Sequence, residues 1–150
     1  MLEIFDSYVD EAFEKAVKAL LPEVKATPIR RNQVIRFGAK PPYFPFAVHS
    51  EMIPQVFKNL KDIPFNSVGI NEYLKNQEIP WHIDDPKAGP KIYIISLMSD
   101  ATLKFRKDNQ ALEYYLPRFS LATISDDLRY NWQHYLKADD YRISVVFRNF

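Results

Sequence analysis

His82 and Asp84 stand two residues apart in Trp81-His82-Ile83-Asp84-Asp85, and His134 follows later in Arg129-Tyr130-Asn131-Trp132-Gln133-His134. On extended backbone, alternate side chains point to the same side. His82 and Asp84 would therefore present an imidazole and a carboxylate together, and a later strand would bring His134 as the second imidazole. Two imidazoles and one carboxylate on one face of a metal, with the other positions open, is the donor set of non-haem Fe(II) centres that activate oxygen. The openness matters, because a co-substrate must chelate the metal and oxygen must still find a coordination position. Taken alone, the triplet fits an ordinary solvated turn better than a ligand pair. His49 lies in a proline-rich stretch and fits a surface or lid residue better than a ligand.

The end of the chain offers a second constellation. In Arg142-Ile143-Ser144-Val145-Val146-Phe147-Arg148, period-two alternation puts Arg142, Ser144, Val146 and Arg148 on one face and Ile143, Val145 and Phe147 on the other. One reading places the arginines in solvent above a buried apolar stripe, as in many half-exposed strands. The other turns both guanidinium groups into the mouth of a barrel, where a charge is costly without an anion to pair with. Six residues of strand span roughly 20 Å, so two long side chains leaning inward would leave a gap for a small dicarboxylate, which arginine binds in bidentate fashion. In Asn71-Glu72-Tyr73 the amide and phenol share one face, which fits either orientation of a carboxylate or a strand-edge Asn beside a core Tyr.

These side chains need elements to hold them. Val9, Phe13, Ala16, Val17 and Leu20 recur at helical spacing, so a helix is predicted over Ser7–Leu21, capped by Ser7 and ended by Pro22. From Lys25 to Pro54 the chain is basic, aromatic and proline-rich, which suggests short edge strands and ordered loops. A short helix is predicted over Glu51–Leu60, before Pro64. The remainder reads as strands: Ser67–Leu74, Ile92–Met98, Thr102–Arg106, Leu112–Leu116, Ser120–Ile124, Tyr130–Tyr135 and Tyr141–Phe147. Many short strands after a leading helix predict a mainly β, double-layered antiparallel fold, a jelly roll (double-stranded β-helix) with one or two buttressing helices.

The 150 residues fit a single domain spanning 1–150, with 47% apolar and 15% aromatic residues to fill its core. A formal net charge of +1 provides no global field for coating nucleic acid or membranes. The absence of cysteine excludes disulfides, thiolate metal sites and a cysteine nucleophile, and fits a cytoplasmic protein. No secretory signal pattern opens the chain and no apolar run is long enough to span a bilayer, so no membrane association is expected.

Asn71-Glu72-Tyr73, Ile79, His82-Ile83-Asp84, His134 and Arg142 to Arg148 together resemble the AlkB family of Fe(II)/2-oxoglutarate dioxygenases, whose pattern is N-x-Y, H-x-D, a distant H, and R-x-[NS]-x-x-x-R in a final strand. Phe37-Gly38 is similar to the aromatic-Gly element that opens the family's core, and the likeness extends from about Arg30 to Phe150. The resemblance implies that His82, Asp84 and His134 bind Fe(II). It implies that Asn71 and Arg148 hold the metal-proximal end of 2-oxoglutarate, and that Tyr73, Arg142 and Ser144 hold the distal carboxylate. Oxygen would then be used to release succinate and carbon dioxide while a substrate C–H group is oxidised. On a carbon attached to a ring nitrogen, the product would collapse to formaldehyde and the unmodified base. On an ordinary carbon, a stable alcohol would remain.

Departures bear on the substrate. Pro86 occupies the place where DNA-repair members often carry an acidic residue, although Asp85 is adjacent. Tyr135 follows His134 where many members have glycine, and Leu74-Lys75-Asn76-Gln77 lacks the glycine often found after N-x-Y. Leu116 to Leu121 and Arg129-Tyr130-x-Trp132-x-His134 look closest to the branch that hydroxylates a modified wobble uridine in tRNA, whose further domains would not fit in 150 residues. Arg31, Arg36, Phe37 and Asp85 are the candidate substrate contacts, with Arg30, Lys40 and Tyr43 nearby in the sequence. Phosphate contact and stacking there would suit an extruded base, with RNA favoured over DNA and a monomer expected. A protein or small-molecule hydroxylase, and a metal-binding jelly roll without enzymatic activity, are the alternatives.

Overall fold

The computed structural model describes residues 1–21, 27–29, 32–39 and 48–150. Twelve strands among them form two sheets. The major sheet has the order β1 (Leu2–Phe5), β10 (Leu121–Ser125), β7 (Lys91–Leu97), β12 (Arg142–Arg148), β5 (Ser67–Tyr73), β3 (Asn32–Gly38) and β2 (Thr27–Ile29), with β4 (Val48–Ser50) parallel to β3. The minor sheet runs β6 (Glu78–His82), β11 (Gln133–Lys137), β8 (Ala101–Lys107) and β9 (Gln110–Leu116). Every other pairing is antiparallel, and the two-layered architecture is the expected jelly roll.

The burial pattern follows from the strand period. Helix α1 (Glu11–Leu20) and the single turn α2 (Gln55–Lys58) cover the outer face of the major sheet. There Val17 and Phe57 pack with Ile35, Phe37, Val68, Ile70, Ile95, Leu97, Ile143, Val145 and Phe147. The other face packs on the minor sheet: Ile92, Ile94, Ala122, Ile124 and Val146 meet Ala101, Leu103, Phe105, Leu116 and Leu136. Strand β12 is central, between β5 and β7, so both of its faces are covered. The solvent-facing reading of Arg142 is thereby excluded: its side chain is in the interior layer between the sheets, 2% exposed.

Several boundaries differ from the sequence reading. Helix α1 begins at Glu11, with the Asp10 carboxylate accepting from the Phe13 N–H at 3.0 Å. Ser7 has φ 51° and lies in a turn ahead of the helix. A buried Glu14 on α1 accepts from the Met98 N–H at 2.8 Å and from Arg118 Nε at 2.9 Å, fixing the helix to the loops beside the sheet. The predicted Glu51–Leu60 helix shortens to α2, and β1 and β6 are additional strands. The segment predicted as a strand from Tyr130 instead begins in helix α3 (Asp126–Asn131), and β11 starts at Gln133. No helix of the described residues is long and apolar enough to cross a membrane.

Candidate metal centre and dicarboxylate pocket

The interior layer divides into two halves. Toward β10, β8 and β9 it is apolar. Toward β5, β12 and β3 the same alternation brings polar side chains inward. Antiparallel register places Arg142 opposite Tyr73, Ser144 opposite Asn71 and Ser96, and Arg148 opposite Ser67. In the minor sheet, β11 pairs with β6 so that His134 lies opposite His82, with a register shift between His134 and Leu136. Such a bulge re-aims neighbouring side chains.

The two imidazole rings lie 4.1 Å apart between centroids. Asp84, two residues beyond the end of β6, brings Oδ1 to 3.2 Å from His82 Nε2 and 3.6 Å from His134 Nε2. One donor atom from each of the three residues falls within 4.8 Å of the others, close enough to hold one metal ion. His82 Nδ1 is 2.7 Å from the Pro80 carbonyl oxygen. That acceptor favours a proton on Nδ1 and leaves the Nε2 lone pair for a metal, the outer-sphere arrangement of metal-binding histidines. Arg148 Nε donates to Asp84 Oδ2 at 2.8 Å, so one carboxylate oxygen is held by the guanidinium while the other faces the imidazoles.

Electrostatics prepare the donors. Burial pushes the His134 pKa down to about 4, only partly opposed by Asp84, so its imidazole is neutral and able to coordinate at pH 7. For Asp84, burial works against ionisation, but Arg148 and the two imidazoles outweigh it and hold the carboxyl well below its usual range. Burial and the neighbouring Arg148 bring Arg36 down to about 9. Arg36 is opposite Gly69 in the β3–β5 pairing. A Cβ on Gly69 would meet Arg36 Cζ at 3.8 Å and Arg148 Nη1 at 3.9 Å, so the glycine makes a floor beneath both guanidinium groups.

Deeper in the same layer, Arg142 Nη2 donates to Ser96 Oγ at 3.0 Å, and its guanidinium carbon lies 5.7 Å from the centre of the Tyr73 ring. Burial raises the Tyr73 pKa, with Arg142 and the Ser144 hydroxyl opposing it. Arg142 Nε is buried without an acceptor among the described residues, and burial pushes the pKa of this guanidinium down. A buried cation with donors to spare is a site prepared for an anion. Asn71, Tyr73, Ser96 and Ser144, all buried, add polar groups around it on the same faces. The residues present therefore fit both a divalent metal, at His82, Asp84 and His134, and a small dicarboxylate beside Arg142 of β12.

One predicted contact belongs elsewhere. Phe37 lies on the opposite face of β3 from Arg36 and packs in the helix-side core, with its ring 6.3 Å from Phe57, so it does not line the pocket. This corrects its assignment as a substrate contact: strand alternation sends Arg36 and Phe37 to opposite sides. His49 has its ring against the Gly38 carbonyl and does not join the metal-binding group. Asp85 Oδ1 accepts from the Lys87 N–H at 2.9 Å, within the loop that carries Asp84. Arg30, Arg31, Lys40 and Tyr43 lie outside the described residues. Sequence reasoning passed over Ser96 and Gly69. A serine at an inward position of the apolar strand Ile92–Leu97 was the available signal for the first.

Comparison with known proteins bears on the fold and on part of the sequence. No family model matches the chain. A segment of 67 residues, 43% of this chain, is 39% identical to the Macaca fascicularis tRNA (carboxymethyluridine(34)-5-O)-methyltransferase ALKBH8, and the match spans 10% of that protein's length. The structure of OsALKBH1 superposes with a TM-score of 0.75 at 13% identity, covering 98% of this chain and 97% of the other. A Burkholderia pseudomallei oxidoreductase of the 2OG-Fe(II) oxygenase family superposes with a TM-score of 0.69 at 15% identity, covering 98% and 82%. Drosophila melanogaster CENP-C bound to CAL1 matches with a TM-score of 0.54 at 7% identity, covering 93% and 99%. The fold is shared with a 2OG-Fe(II) oxygenase, and the sequence likeness to an ALKBH protein is confined to 67 residues.

Proposed function

We propose that this chain is an Fe(II)/2-oxoglutarate-dependent dioxygenase that oxidises a C–H group on an alkylated or otherwise modified nucleobase, with RNA favoured over DNA. The observation that carries the reading is the position of Arg142: a buried guanidinium with an unused donor, on the strand whose other end holds the Asp84 carboxylate through Arg148. A metal-binding module without a co-substrate has no use for that second cation.

In this reading His82 Nε2, Asp84 Oδ1 and His134 Nε2 hold Fe(II) and leave positions open for 2-oxoglutarate and oxygen. When bound, the metal and 2-oxoglutarate supply the oxidising power, and the protein supplies binding and orientation. Arg142 pairs with the distal carboxylate, to which Tyr73 and Ser144 donate hydroxyls. Asn71 and Arg148 orient the end nearest the metal. Arg148 also fixes the rotation of Asp84 by occupying Oδ2, so that only Oδ1 faces the metal. The covered faces of β12 and β5 exclude water from this half of the sandwich.

The nucleobase assignment rests on the motif resemblance and on the segment shared with a tRNA-modifying protein. Arg36 at the metal end adds a cation that would face an anionic or electron-rich substrate, with Asp85 and Arg31 as further contacts. Incubation with Fe(II), 2-oxoglutarate and methylated or wobble-modified oligonucleotides tests it. Succinate release stimulated by one oligonucleotide is expected, with either formaldehyde or a mass gain of one oxygen atom in the product. Succinate release indifferent to every nucleic acid would instead favour a protein or small-molecule hydroxylase, and no release at all would contradict the dioxygenase.

A further inference from the structure

Asp84 lies in a loop that leaves the minor sheet, a poor place to hold a metal ligand still. Between the end of β6 and the 3-10 turn Pro86–Ala88, the backbone has no sheet partner to hold its carbonyl groups. Buried carbonyls need donors, and here one side chain provides three. Arg129 of α3, 3% exposed, donates from Nη1 to the Asp84 carbonyl at 3.2 Å, from Nη2 to the Asp85 carbonyl at 2.7 Å and from Nε to the Gly89 carbonyl at 3.0 Å. The guanidinium is planar with its donors in a rigid fork, so three such bonds define the loop's position and orientation together. The far side of the loop is closed by the chain after β12: Asn149 N–H donates to the Ala88 carbonyl at 3.1 Å, and a Cβ on Gly89 would meet the Asn149 carbonyl oxygen at 3.2 Å.

Helix α3 leads directly into the strand that carries the third ligand. Trp132 Nε1 donates back to Asp127 Oδ2 at 2.9 Å, which ties the exit of α3 to its first turn, and His134 follows opposite His82. One short helix thus fixes Asp84 through Arg129 and His134 through its own C-terminal continuation. We infer that Arg129 is a positioning residue that sets the Asp84 ligand at the correct distance from His134 by clamping the 84–89 loop. The inference rests on the metal site proposed above. A lysine would not replace it, since one ammonium cannot span three carbonyls arranged along a loop.

The test is metal affinity measured separately from stability, by titrating the metal-free full chain with Mn(II) and recording the visible spectrum of its Co(II) complex. Arg129→Met and Arg129→Lys should each weaken Mn(II) binding by about tenfold or more, in the range found when groups supporting metal ligands are removed. Both should also alter the Co(II) spectrum, which follows the coordination geometry. Arg118→Met serves as the structural control: it removes the partner of buried Glu14, far from the metal, and should lower the melting temperature while leaving Mn(II) affinity and the Co(II) spectrum as in wild type. In the wild type, Zn(II) should slow amide exchange in residues 84–89 and 126–131 together, a readout independent of any substitution. Arg129 variants that melt earlier but keep wild-type affinity and spectrum would overturn the inference, as would Zn(II) protection confined to one of the two segments. Failure of the wild type to bind Mn(II) would instead refute the metal site itself.

Discussion

Replacing Arg142 by methionine should improve or preserve stability while strongly weakening co-substrate binding, an opposition of signs that no purely structural arginine would show. In the protein without ligand, Arg142 gives one hydrogen bond to Ser96 and lies over the Tyr73 ring. The first is worth about 1 kcal/mol and the second about 1–2 kcal/mol. Against them stands the desolvation of a guanidinium buried, among the described residues, without a carboxylate partner, several kcal/mol even after relaxation. Methionine has a similar length and no charge, so Arg142→Met should leave the ligand-free protein unchanged or stabilise it by up to about 2 kcal/mol. Losing the charge-assisted pair with a buried carboxylate costs about 2–5 kcal/mol, which is a weakening of 2-oxoglutarate binding by roughly 30-fold to several thousand-fold. Urea unfolding gives the first quantity, and calorimetric titration of the Mn(II)-loaded protein with 2-oxoglutarate gives the second. Saturating 2-oxoglutarate should also raise the melting temperature of the wild type and not of the variant. Destabilisation by several kcal/mol with unchanged 2-oxoglutarate affinity would refute the reasoning and make Arg142 a core strut.

Three further outcomes follow from the geometry. The folded His134 pKa of about 4 lies below the ordinary histidine value near 6.5, so the unfolded chain takes up this proton first as pH falls. Stability without metal should be complete above about pH 6.5 and decline toward pH 4 by up to about 3 kcal/mol. His134→Gln should flatten that slope, and an equal slope in the variant would contradict the assignment. Gly38 has φ 81°, and a Cβ there would lie 2.3 Å from the Asn66 carbonyl oxygen, so Gly38→Ala should cost at least about 1–3 kcal/mol in urea unfolding, whereas a change within experimental error would show the turn to be adaptable. Gly69→Ala places its Cβ in ordinary contact with Arg36 and Arg148 and should retain Mn(II) affinity, while Gly69→Leu should displace both guanidinium groups and weaken it; equal affinity in the two variants would count against this floor.

The sequence displayed the alternation of β12 plainly but left open which face was buried. That depends on the strand's neighbours, and only the flanking of β12 by β5 and β7 turns the arginines inward. Strand period places His82, Asn71, Tyr73 and His134, but Asp84 lies in the loop after β6, and its place beside the two imidazoles was legible only through the resemblance of the joint motif. Strand β6 escaped because Pro80 interrupts it, as proline in a strand argues against one, and because its partner β11 comes some fifty residues later. Helix α3 is too short to show a period, and Tyr130 next to Trp132 looks like strand sequence. Asp10 outcompeted Ser7 as the cap because its carboxylate reaches the Phe13 N–H. Phe37 looked like a stacking residue in a basic stretch until the parity of β3 placed it under α2. Arg129 had no local signal, since the three carbonyls it holds are about forty residues upstream.

The central claim is that a metal and a dicarboxylate share this pocket. Anaerobic titration of the metal-free protein with Fe(II) and then 2-oxoglutarate tests it directly, because chelation of Fe(II) by a 2-oxo acid produces a visible charge-transfer band. The band should appear with one equivalent of each component, vanish in His134→Ala through loss of the metal, and require far more 2-oxoglutarate in Arg142→Met. Fe(II) binding with no band on addition of 2-oxoglutarate, or a band indifferent to Arg142, would contradict a shared site.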